Sequence, residues 1–243
     1  MSGADGRLFC IGDVHGCVDE LGRLIDDIAP EANDRIVFLG DYVDRGPEVA
    51  ATIGFLLEIR RHLPETVFLR GNHEEMMLGF LGEGGEHGDI FVRGGGAATL
   101  ESYGVDRHDR GAARTLREKI PAEHLELLRD HLSLWHSISP WVFAHAGVRP
   151  GTPMREQERE DLLWIREDFL SREHGLDTTV VFGHTAHRDV VFSPSRRIAM
   201  DTGCVYGGML SALDLSQGVL HQIRRGAGKV GRRDVAEALD RAI

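Results

Sequence analysis

Five short apolar runs in the sequence are each followed by a polar side chain that can bind a metal ion. The first three runs are RLFCIG, RIVFLG and TVFLRG, and the last two are WVFA and TVVFG. Oxygen and nitrogen donors suit divalent manganese, iron or zinc better than a soft ion such as Cu(I). We therefore expect the polar residues after these runs to be metal ligands: Asp13, His15, Asp41, Asn72, His145 and His184.

Six ligands are more than one ion needs, so they predict a pair of ions. Asp41 follows the middle one of the first three runs and is the natural bridge between the ions. Two ions about 3.5–4 Å apart can hold both the attacking and the leaving oxygen of a displacement at phosphorus. Water shared between such ions loses a proton near neutral pH and becomes the nucleophile. The ligand set therefore predicts hydrolysis at phosphorus.

The segments between the runs predict how the fold brings these ligands together. Residues 36–39 and 180–182 are typical of buried strands bounded by glycine. Apolar residues recur at helical spacing over residues 21–28 and 49–57. The resulting order β-α-β-α-β-α predicts a parallel sheet with right-handed crossovers. Ligands bind beyond the carboxyl ends of such strands, so we expect all five runs to converge on one crevice.

The remaining segments predict an α/β (α+β) fold of two packed sheets with helices outside. Residues 82–96 are rich in glycine and indicate a long loop. Helices are expected over residues 97–132 and 155–172. After His184, short apolar runs split by turn residues are typical of an antiparallel meander. The last dozen residues are expected to form a terminal helix.

Residues beside the ligands suit phosphate binding and proton transfer. Arg45 and Arg70 lie close to the ligands in sequence, and a guanidinium matches the geometry of phosphate oxygens. His73 is placed to protonate a leaving oxygen, and Asp44 could orient it and keep it protonated. Three of these residues have a structural alternative: Asp44 could form a turn or an ion pair, and Arg45 or Arg70 could pair with a carboxylate.

Two further features lie near the ligands in sequence. His187 follows His184 by three residues, and we expect it in a loop or at a pocket rim rather than on a metal ion. The triple glycine at residues 94–96 lacks the GxGxxG spacing of a dinucleotide-binding motif. We expect it to be a flexible loop near the substrate.

Length and composition indicate a single domain over residues 1–243, with the motifs in about residues 8–215. The chain is 42% apolar and 28% charged, which is typical of a globular protein. No apolar run approaches the roughly 18 residues that a membrane span needs. The start of the sequence lacks the basic and apolar regions of a secretory signal.

Charge and cysteine content restrict the partners and the location that we expect. The formal net charge of −11 disfavours nucleic acid and anionic membranes as partners. Bound metal ions could still reverse the local field for a small anionic substrate. Cys10, Cys17 and Cys204 show no metal-finger spacing and suit reduced thiols, so we expect a cytoplasmic location.

The motifs GDVHG, GDYVDRG and GNHE, in this order and spacing, resemble the phosphoprotein phosphatase (PPP) family of calcineurin-like metallophosphoesterases. AHAG and FGHT match the two later metal histidines of that family. Small bacterial and phage members, such as the phage lambda serine/threonine phosphatase, are also similar in GNHExMM and in the segment MDTGCVYGG. The resemblance implies a β-sandwich flanked by helices, with a dinuclear metal site at the carboxyl ends of strands.

The resemblance also implies a role for each site residue. It assigns one ion to Asp13, His15 and Asp41, and the other to Asp41, Asn72, His145 and His184. It makes His73 the general acid, paired with Asp44. It makes Arg45 and Arg166 the phosphate-binding residues, with Arg70 as a third. By this resemblance the two ions are expected to be Mn²⁺, although the ligands also suit iron or zinc.

The implied function is a metal-dependent phosphatase that acts on phosphomonoesters, foremost phosphoserine or phosphothreonine in proteins. The alternative is hydrolysis of diadenosine tetraphosphate at the same metal site. Family members that cleave this dinucleotide symmetrically typically have alanine in place of Asp44, but other bacterial relatives keep the aspartate and still cleave dinucleotides. A non-catalytic binding protein would be expected to lack a ligand or the acid, and this chain lacks neither. The oligomeric state is left open.

Overall fold

A computed structural model describes residues 6–243 and contains two β-sheets. The strands of the first sheet are β1 (Leu8–Ile11), β2 (Arg35–Phe38), β3 (Val67–Phe68), β9 (Met209–Asp214), β10 (Val219–Arg224) and β11 (Gly231–Asp234). Their order across the sheet is β11-β10-β9-β1-β2-β3. Strands β1, β2 and β3 are parallel, whereas β9 pairs with β1 in the antiparallel direction. The parallel half of this sheet confirms the prediction from the first three runs.

The helices between these strands also match the expected order. They are α1 (Val18–Ile28), α2 (Val49–His62) and α3 (Asn72–Leu81). Helix α1 is amphipathic, and its buried positions Leu21, Leu24 and Ile28 follow the predicted periodicity. Helix α2 likewise buries the predicted positions Val49, Ile53, Leu56 and Leu57, so the apolar faces predicted for α1 and α2 are confirmed.

The second sheet has five strands. They are β4 (Trp135–Ile138), β5 (Trp141–Ala144), β6 (Thr179–Phe182), β7 (Val191–Ser193) and β8 (Arg197–Ala199). Their order is β4-β5-β6-β8-β7. Strands β5, β6 and β8 are parallel, and β4 and β7 pair antiparallel at the two edges. Each sheet therefore contributes three parallel strands.

The other helices are short. They are α4 (Ala97–Ser102), α5 (Ala112–Lys119), α6 (Ala122–Asp130), α7 (Arg159–Trp164), α8 (Glu167–Ser171) and α9 (Ala236–Ala242). The longest helix of the chain, α2, has 14 residues. Over residues 6–243, none of the helices combines the length and apolar character needed to cross a bilayer.

Alternate residues of the central strands face opposite layers, as the pleat of a strand requires. Cys10 of β1 and Val37 of β2 pack with Phe143 and Val181 of the second sheet, which forms the core between the sheets. Phe9, the neighbour of Cys10, packs instead in the core beneath α1 and α2. The observed architecture is therefore the predicted pair of packed sheets with helices outside.

The prediction of a long loop over residues 82–96 is wrong for the second half of this segment. A 3₁₀ turn covers Gly88–Ile90, and a π-helical turn covers Val92–Gly96. Phe91 between them is fully buried, and its ring lies 4.8 Å from that of Phe80. This long-range packing orders the segment, and the local glycine content of the sequence does not reveal it.

Both of the long helices expected from the sequence are broken into shorter ones. Residues 97–132 form α4, α5 and α6, because the chain turns at Gly104, which has a φ of 68°, and restarts at Pro121 before α6. Residues 155–172 form α7 and α8 after a 3₁₀ turn at Met154–Glu156.

The segment after His184 does not form a single meander. Its antiparallel pairs are present, but β7 and β8 belong to the second sheet, whereas β9, β10 and β11 belong to the first. The chain crosses from the second sheet to the first over residues 200–208, because β9 pairs with β1. The terminal helix expected from the sequence is confirmed as α9.

Candidate metal centre and active site

The carboxyl ends of the parallel strands from both sheets meet in one crevice. Asp13 and His15 follow β1, Asp41 follows β2, Asn72 follows β3, and His145 and His184 follow β5 and β6. All six side chains are buried. The convergence expected from the sequence is therefore present in the structure.

These six side chains form a cluster, and Asp41 lies at its centre. Its Oδ2 is 3.4 Å from Nε2 of His15, and its Oδ1 is 3.4 Å from Nε2 of His145. Each carboxylate oxygen thus faces a histidine from a different sheet. This arrangement suits a carboxylate that bridges two ions.

Asn72 connects the two histidines of the second sheet. Its Oδ1 lies 3.0 Å from Nε2 of His145 and 2.9 Å from Nδ1 of His184. Ligand atoms about 3 Å apart are what a single ion with bonds near 2.1 Å requires. Asp41, His145 and His184 can also bring their ligand atoms together on one ion.

Two further carboxylates, those of Asp13 and Asp201, lie near Asp41. Oδ2 of Asp13 accepts a hydrogen bond from the backbone N–H of His184, at a distance of 3.0 Å. Burial, together with the nearby carboxylates of Asp201 and Asp41, raises the pKa of Asp13 well above its usual value. Burial also raises the pKa of Asp201. A cation beside these groups would offset their mutual repulsion, so their placement fits a metal site.

The histidines present ring nitrogens that are suited to bind an ion. Nδ1 of His15 lies 2.7 Å from the carbonyl of Val43, and Nδ1 of His145 lies 2.8 Å from that of Leu39. Because a carbonyl only accepts, Nδ1 carries the proton and Nε2 offers a lone pair towards Asp41. Burial, with His145 close by, lowers the pKa of His184 to about 2, which keeps its imidazole neutral as metal binding requires.

The backbone is strained where it presents these side chains. Positive φ angles occur at non-glycine residues of the site: His15, Asp41, Asp44, Arg45 and His184. Such conformations cost about 1–3 kcal/mol each and persist where the surrounding contacts impose them. Their clustering at strand ends is typical of a functional site.

Two glycines let the backbone come close to the ligands. A Cβ atom on Gly71 would lie 2.1 Å from Oδ1 of Asp41, and one on Gly183 would lie 2.0 Å from Oδ1 of Asp13. Any larger residue at these positions would collide with a proposed metal ligand. Glycine is therefore required at both positions by close packing.

Glu74 holds the strained loop in place. Its Oε1 accepts the backbone N–H groups of Tyr42 and Val43 at 2.7 and 3.1 Å, and its Oε2 accepts those of Asp41 and Gly71 at 2.9 Å each. The side chain is fully buried, and burial and the nearby Asp41 raise its pKa to about 7. One carboxylate therefore joins the loop after β2 to the loop after β3.

His73 and Asp44 form a buried pair beside the ligands. Nδ1 of His73 lies 2.6 Å from Oδ2 of Asp44, and its Nε2 lies 3.9 Å from Oδ2 of Asp41. Thr99 fixes the carboxylate, because its hydroxyl donates to Oδ1 of Asp44 at 2.6 Å. The ring of His73 is thus oriented with Nδ1 towards Asp44 and Nε2 towards Asp41, at the centre of the cluster of proposed ligands.

Two of the three arginines singled out from the sequence lie at the cluster. Nη1 of Arg45 is 2.5 Å from Nε2 of His15, and Nη1 of Arg166 donates to the Thr185 hydroxyl at 3.1 Å, beside His184. Nε2 of His15 has one lone pair, which either accepts from Arg45 or binds an ion. With an ion in place, the guanidinium of Arg45 is free to pair with a phosphate.

Arg70 pairs with a carboxylate, which was the structural alternative to phosphate binding. Its Nη1 donates to Oε2 of Glu75 at 3.2 Å, and its Nη2 donates to the carbonyl of Arg129 at 2.9 Å. The Arg70 side chain is buried. These partners tie α3 to the end of α6, so a role in binding phosphate stays a prediction.

Three residues of the site were not identified from the sequence: Asp201, Glu74 and Thr99. Asp201 follows β8 in the way that the other acids follow their strands, so the run RRIAM carried the signal. Glu74 belongs to the motif GNHE, but its four amide partners depend on tertiary structure. The sequence carries no signal for Thr99, which reaches Asp44 from a distant helix.

The position of His187 agrees with the prediction from the sequence. It sits in the loop after β6, and it lines a cavity beside the cluster. The triple glycine is also next to the site, because Gly95 accepts the backbone N–H of Arg45 at 3.1 Å. It is part of the π-helical turn rather than the flexible loop that we expected.

Comparison with known proteins agrees with this geometry. The sequence profile of the family described as calcineurin-like phosphoesterase matches residues 6–209. A bis(5'-nucleosyl)-tetraphosphatase PrpE [asymmetrical] of Oceanobacillus iheyensis is 27% identical over 85% of this chain and 87% of its own length. A protein of the same name from Bacillus cereus is 25% identical over 84% of this chain and 88% of its own length.

Solved structures share the fold. A crystal structure of a proposed diadenosine tetraphosphatase has a TM-score of 0.69 at 23% identity, and covers 94% of this chain and 97% of its own. A cold-active protein-tyrosine phosphatase of a Shewanella species has a TM-score of 0.59 at 18% identity, over 94% and 80% of the two chains. At these identities the likeness concerns the fold alone.

The family match covers most of the chain and includes every predicted ligand. Calcineurin-like phosphoesterases use a dinuclear metal site, and groups of His and Asp that could hold ions are present here around Asp41. This chain is therefore a metal-dependent hydrolase of phosphate compounds, and it belongs to the calcineurin-like phosphoesterase family.

Proposed function

We propose that this chain hydrolyses dinucleoside polyphosphates such as diadenosine tetraphosphate by cleaving a phosphoanhydride bond. The observation that carries the choice of substrate is the match to relatives named bis(5'-nucleosyl)-tetraphosphatase over more than four fifths of both chains. From the sequence alone, this substrate ranks second, behind phosphoserine and phosphothreonine in proteins. The relatives support the alternative better.

The cluster around Asp41 would hold two divalent ions. One set of ligands is Asp13, His15 and Asp41, and the other is Asp41, Asn72, His145 and His184. When bound, such ions supply an activated water near neutral pH and offset the negative charge of the phosphates. We infer Mn²⁺ from the resemblance to bacterial and phage members of the family, and the ligands also suit iron or zinc.

His73 is the general acid in this proposal. Its Nδ1 is held by Asp44 at 2.6 Å, so its Nε2 faces the cluster, where the leaving oxygen would lie. A proton held on Nε2 can pass to that oxygen as the bond to phosphorus breaks. Asp44 and Thr99 act on the reaction through His73, because they fix the orientation of its ring.

Arg45 and Arg166 bind the phosphate in this proposal. They approach the cluster from two sides, one beside His15 and the other beside His184. Guanidinium groups pair with phosphate oxygens through charge-assisted hydrogen bonds. Their placement would hold the non-bridging oxygens while the proton is delivered from His73.

A protein phosphatase acting on phosphoserine or phosphothreonine is the second candidate. Asp44 favours it, because family members that cleave dinucleotides symmetrically typically have alanine at this position. Here Asp44 is fully buried and bonded to His73. The same aspartate is compatible with asymmetric cleavage, since other bacterial relatives keep it.

A single comparison of substrates tests the proposal. The Mn-loaded protein would receive diadenosine tetraphosphate and a phosphothreonine peptide in parallel, and kcat/KM would be measured for each. We expect a strong preference for the dinucleotide, with ATP and AMP as products. A strong preference for the peptide would instead establish the protein phosphatase, and two molecules of ADP would overturn asymmetric cleavage.

We also propose a small phosphorylated substrate rather than nucleic acid or a membrane as the partner. The net charge of −11 supports this view. A cytoplasmic location is a further proposal, supported by three cysteines that are all buried and free.

A further inference from the structure

A cavity of about 490 Å³ opens beside the candidate active site. It lies between the loop after β6 and the turn before β9. Its walls include Ala186, His187, Arg188, Tyr206, Met209 and Arg224. This volume falls within the range of about 300–1,000 Å³ that is typical of small-molecule sites. The cavity is therefore large enough for one nucleoside.

One side chain joins this cavity to the metal cluster. The guanidinium of Arg45 lies with Cζ 5.5 Å from the centre of the Tyr206 ring, and with Nη1 2.5 Å from Nε2 of His15. A cation over an aromatic face is an attractive contact. A phosphate held at Arg45 would therefore lie between the cluster and the cavity.

Tyr206 is unusually exposed for an aromatic residue. The residue is 65% exposed, the highest value among the exposed large apolar residues of the described chain. It ends a 3₁₀ turn, Cys204–Tyr206, between Gly203 and Gly207, which both have positive φ angles. Cys204 anchors this turn in the interior. The ring is thus held outward by a short turn, as a stacking surface requires.

The cavity also offers cationic and hydrogen-bonding groups. Arg188 and Arg224 are both exposed, and Nη1 of Arg224 donates to the carbonyl of Gly207 at 3.1 Å, which holds it beside the tyrosine. Nε2 of His187 is buried and has no hydrogen-bond partner among the described residues. In a chain with a net charge of −11, these groups form a local site for an anion with a polar ring.

We propose that this cavity binds one nucleoside of the dinucleoside polyphosphate. The base stacks on Tyr206, and the phosphates run from the cluster past Arg45 towards Arg224. Nε2 of His187 is placed to form a hydrogen bond with the base or the ribose. This inference rests on the proposed function, and it names the residues that would make the enzyme prefer a dinucleotide.

Binding to the Mn-loaded chain tests the cavity with ligands that cannot be hydrolysed at their bridges. Calorimetry would compare a methylene-bridged analogue of diadenosine tetraphosphate with a methylene-bridged tripolyphosphate, which has no base, and the absence of dinucleotide binding by the wild type would overturn the cavity proposal. Base stacking predicts that Tyr206→Leu weakens binding of the dinucleotide about tenfold or more. Binding of tripolyphosphate is expected to stay unchanged. Tyr206→Phe should bind like the wild type, since it keeps the ring.

A second pair of variants tests the arginine without touching Tyr206. Arg224→Gln is expected to weaken both the dinucleotide and tripolyphosphate, because it removes a charge that attracts phosphate. Arg110→Gln is the matched control, since Arg110 is an exposed arginine outside the cavity lining. Equal binding by both variants would overturn the proposed path of the phosphates.

The outcomes separate the cavity from the proposed function. If the loaded wild type cleaves the dinucleotide while Tyr206→Leu binds it normally, the cavity proposal fails and the function stands. If the wild type does not cleave it but binding still depends on Tyr206, the function fails and the cavity stands. If Tyr206→Leu weakens the binding of the dinucleotide and of tripolyphosphate equally, the ring acts through Arg45. That result would overturn the proposal that the base stacks on Tyr206. Tyr206-dependent binding of a phosphothreonine peptide, with no dinucleotide binding, would overturn the nucleoside assignment.

Discussion

Nδ1 of His73 lies 2.6 Å from Oδ2 of Asp44, and both side chains are buried. The hydroxyl of Thr99 donates to the other oxygen of Asp44, so the carboxylate has a fixed orientation. Asp44 reaches this geometry from the loop after β2, and His73 reaches it from the first turn of α3. The pair therefore gives the proposed general acid a fixed direction, with Nε2 towards the metal cluster.

Replacement of the proposed acid should reduce turnover without removing the ions. His73→Asn is expected to lower kcat by about 10²–10⁴-fold, the usual contribution of a positioned acid. Its metal content should match that of the wild type, because neither set of proposed ligands includes His73. Asp44→Asn should give a smaller loss. Steady-state kinetics with metal analysis of the same samples checks this, and a near-normal kcat in His73→Asn would refute the assignment.

Removal of the Glu74 carboxylate should loosen both ligand-bearing loops. In Glu74→Gln the amide NH₂ can no longer accept from the backbone, so buried N–H groups lose their partner. We expect the free energy of unfolding of the metal-free protein to fall by about 1–3 kcal/mol for each unsatisfied donor. Denaturant titration measures this change.

A second glutamate provides the control for that experiment. Glu58 lies on the exposed side of α2, and Glu58→Gln should leave the free energy of unfolding nearly unchanged. Similar stability of the two variants would show that Glu74 does not hold the loops.

Substitution of Gly183 should weaken the metal site locally. Gly183→Ala places a methyl group against Oδ1 of Asp13, where only 2.0 Å is available. We expect metal affinity to fall about 10–100-fold, as when the groups that orient a ligand are altered. Gly22→Ala in α1 is the matched control, since a Cβ atom there meets nothing within 4 Å. Calorimetric titration with Mn²⁺ checks both, and equal affinities would count against Asp13 as a ligand.

Two arginines allow phosphate binding to be separated from structural support. Arg45→Gln should lower kcat/KM by about 10–100-fold, which corresponds to one lost charge-assisted hydrogen bond. Arg70→Gln should instead lower the melting temperature, because Arg70 joins Glu75 to the end of α6. Kinetics and thermal melting of both variants check this. An Arg70→Gln protein with normal stability and a raised KM would restore Arg70 to the phosphate site.

The sequence predicts where the candidate ligands lie in the fold, provided that a local pattern carries the signal. A short apolar run followed by a ligand identifies β1, β2, β3, β5 and β6, because strands of this kind end abruptly at the sheet edge. The run RRIAM, which forms β8 and precedes Asp201, shows the same pattern. From the sequence, however, this run was predicted to be part of an antiparallel meander. Its true neighbours are β6 and β7, and pairing between distant strands is not visible in a local pattern.

The other errors also concern contacts between distant parts of the chain. Burial of Phe91 orders a glycine-rich segment that local composition marks as a loop. Glu74 and Thr99 act through backbone and side-chain partners that only the folded chain brings near. Propensity and periodicity describe neighbours in sequence, so roles of this kind need the structure.

The proposed mechanism depends above all on the sharing of Asp41 by two ions. Each of its oxygens faces a histidine from a different sheet, at 3.4 Å in both cases. Titration of the metal-free protein with Mn²⁺, followed by electron paramagnetic resonance, tests the claim most directly. We predict two Mn²⁺ per chain with a spin-coupled spectrum, and loss of the coupling in Asp41→Asn. A single Mn²⁺ per chain, or two ions without coupling in the wild type, would contradict the shared carboxylate.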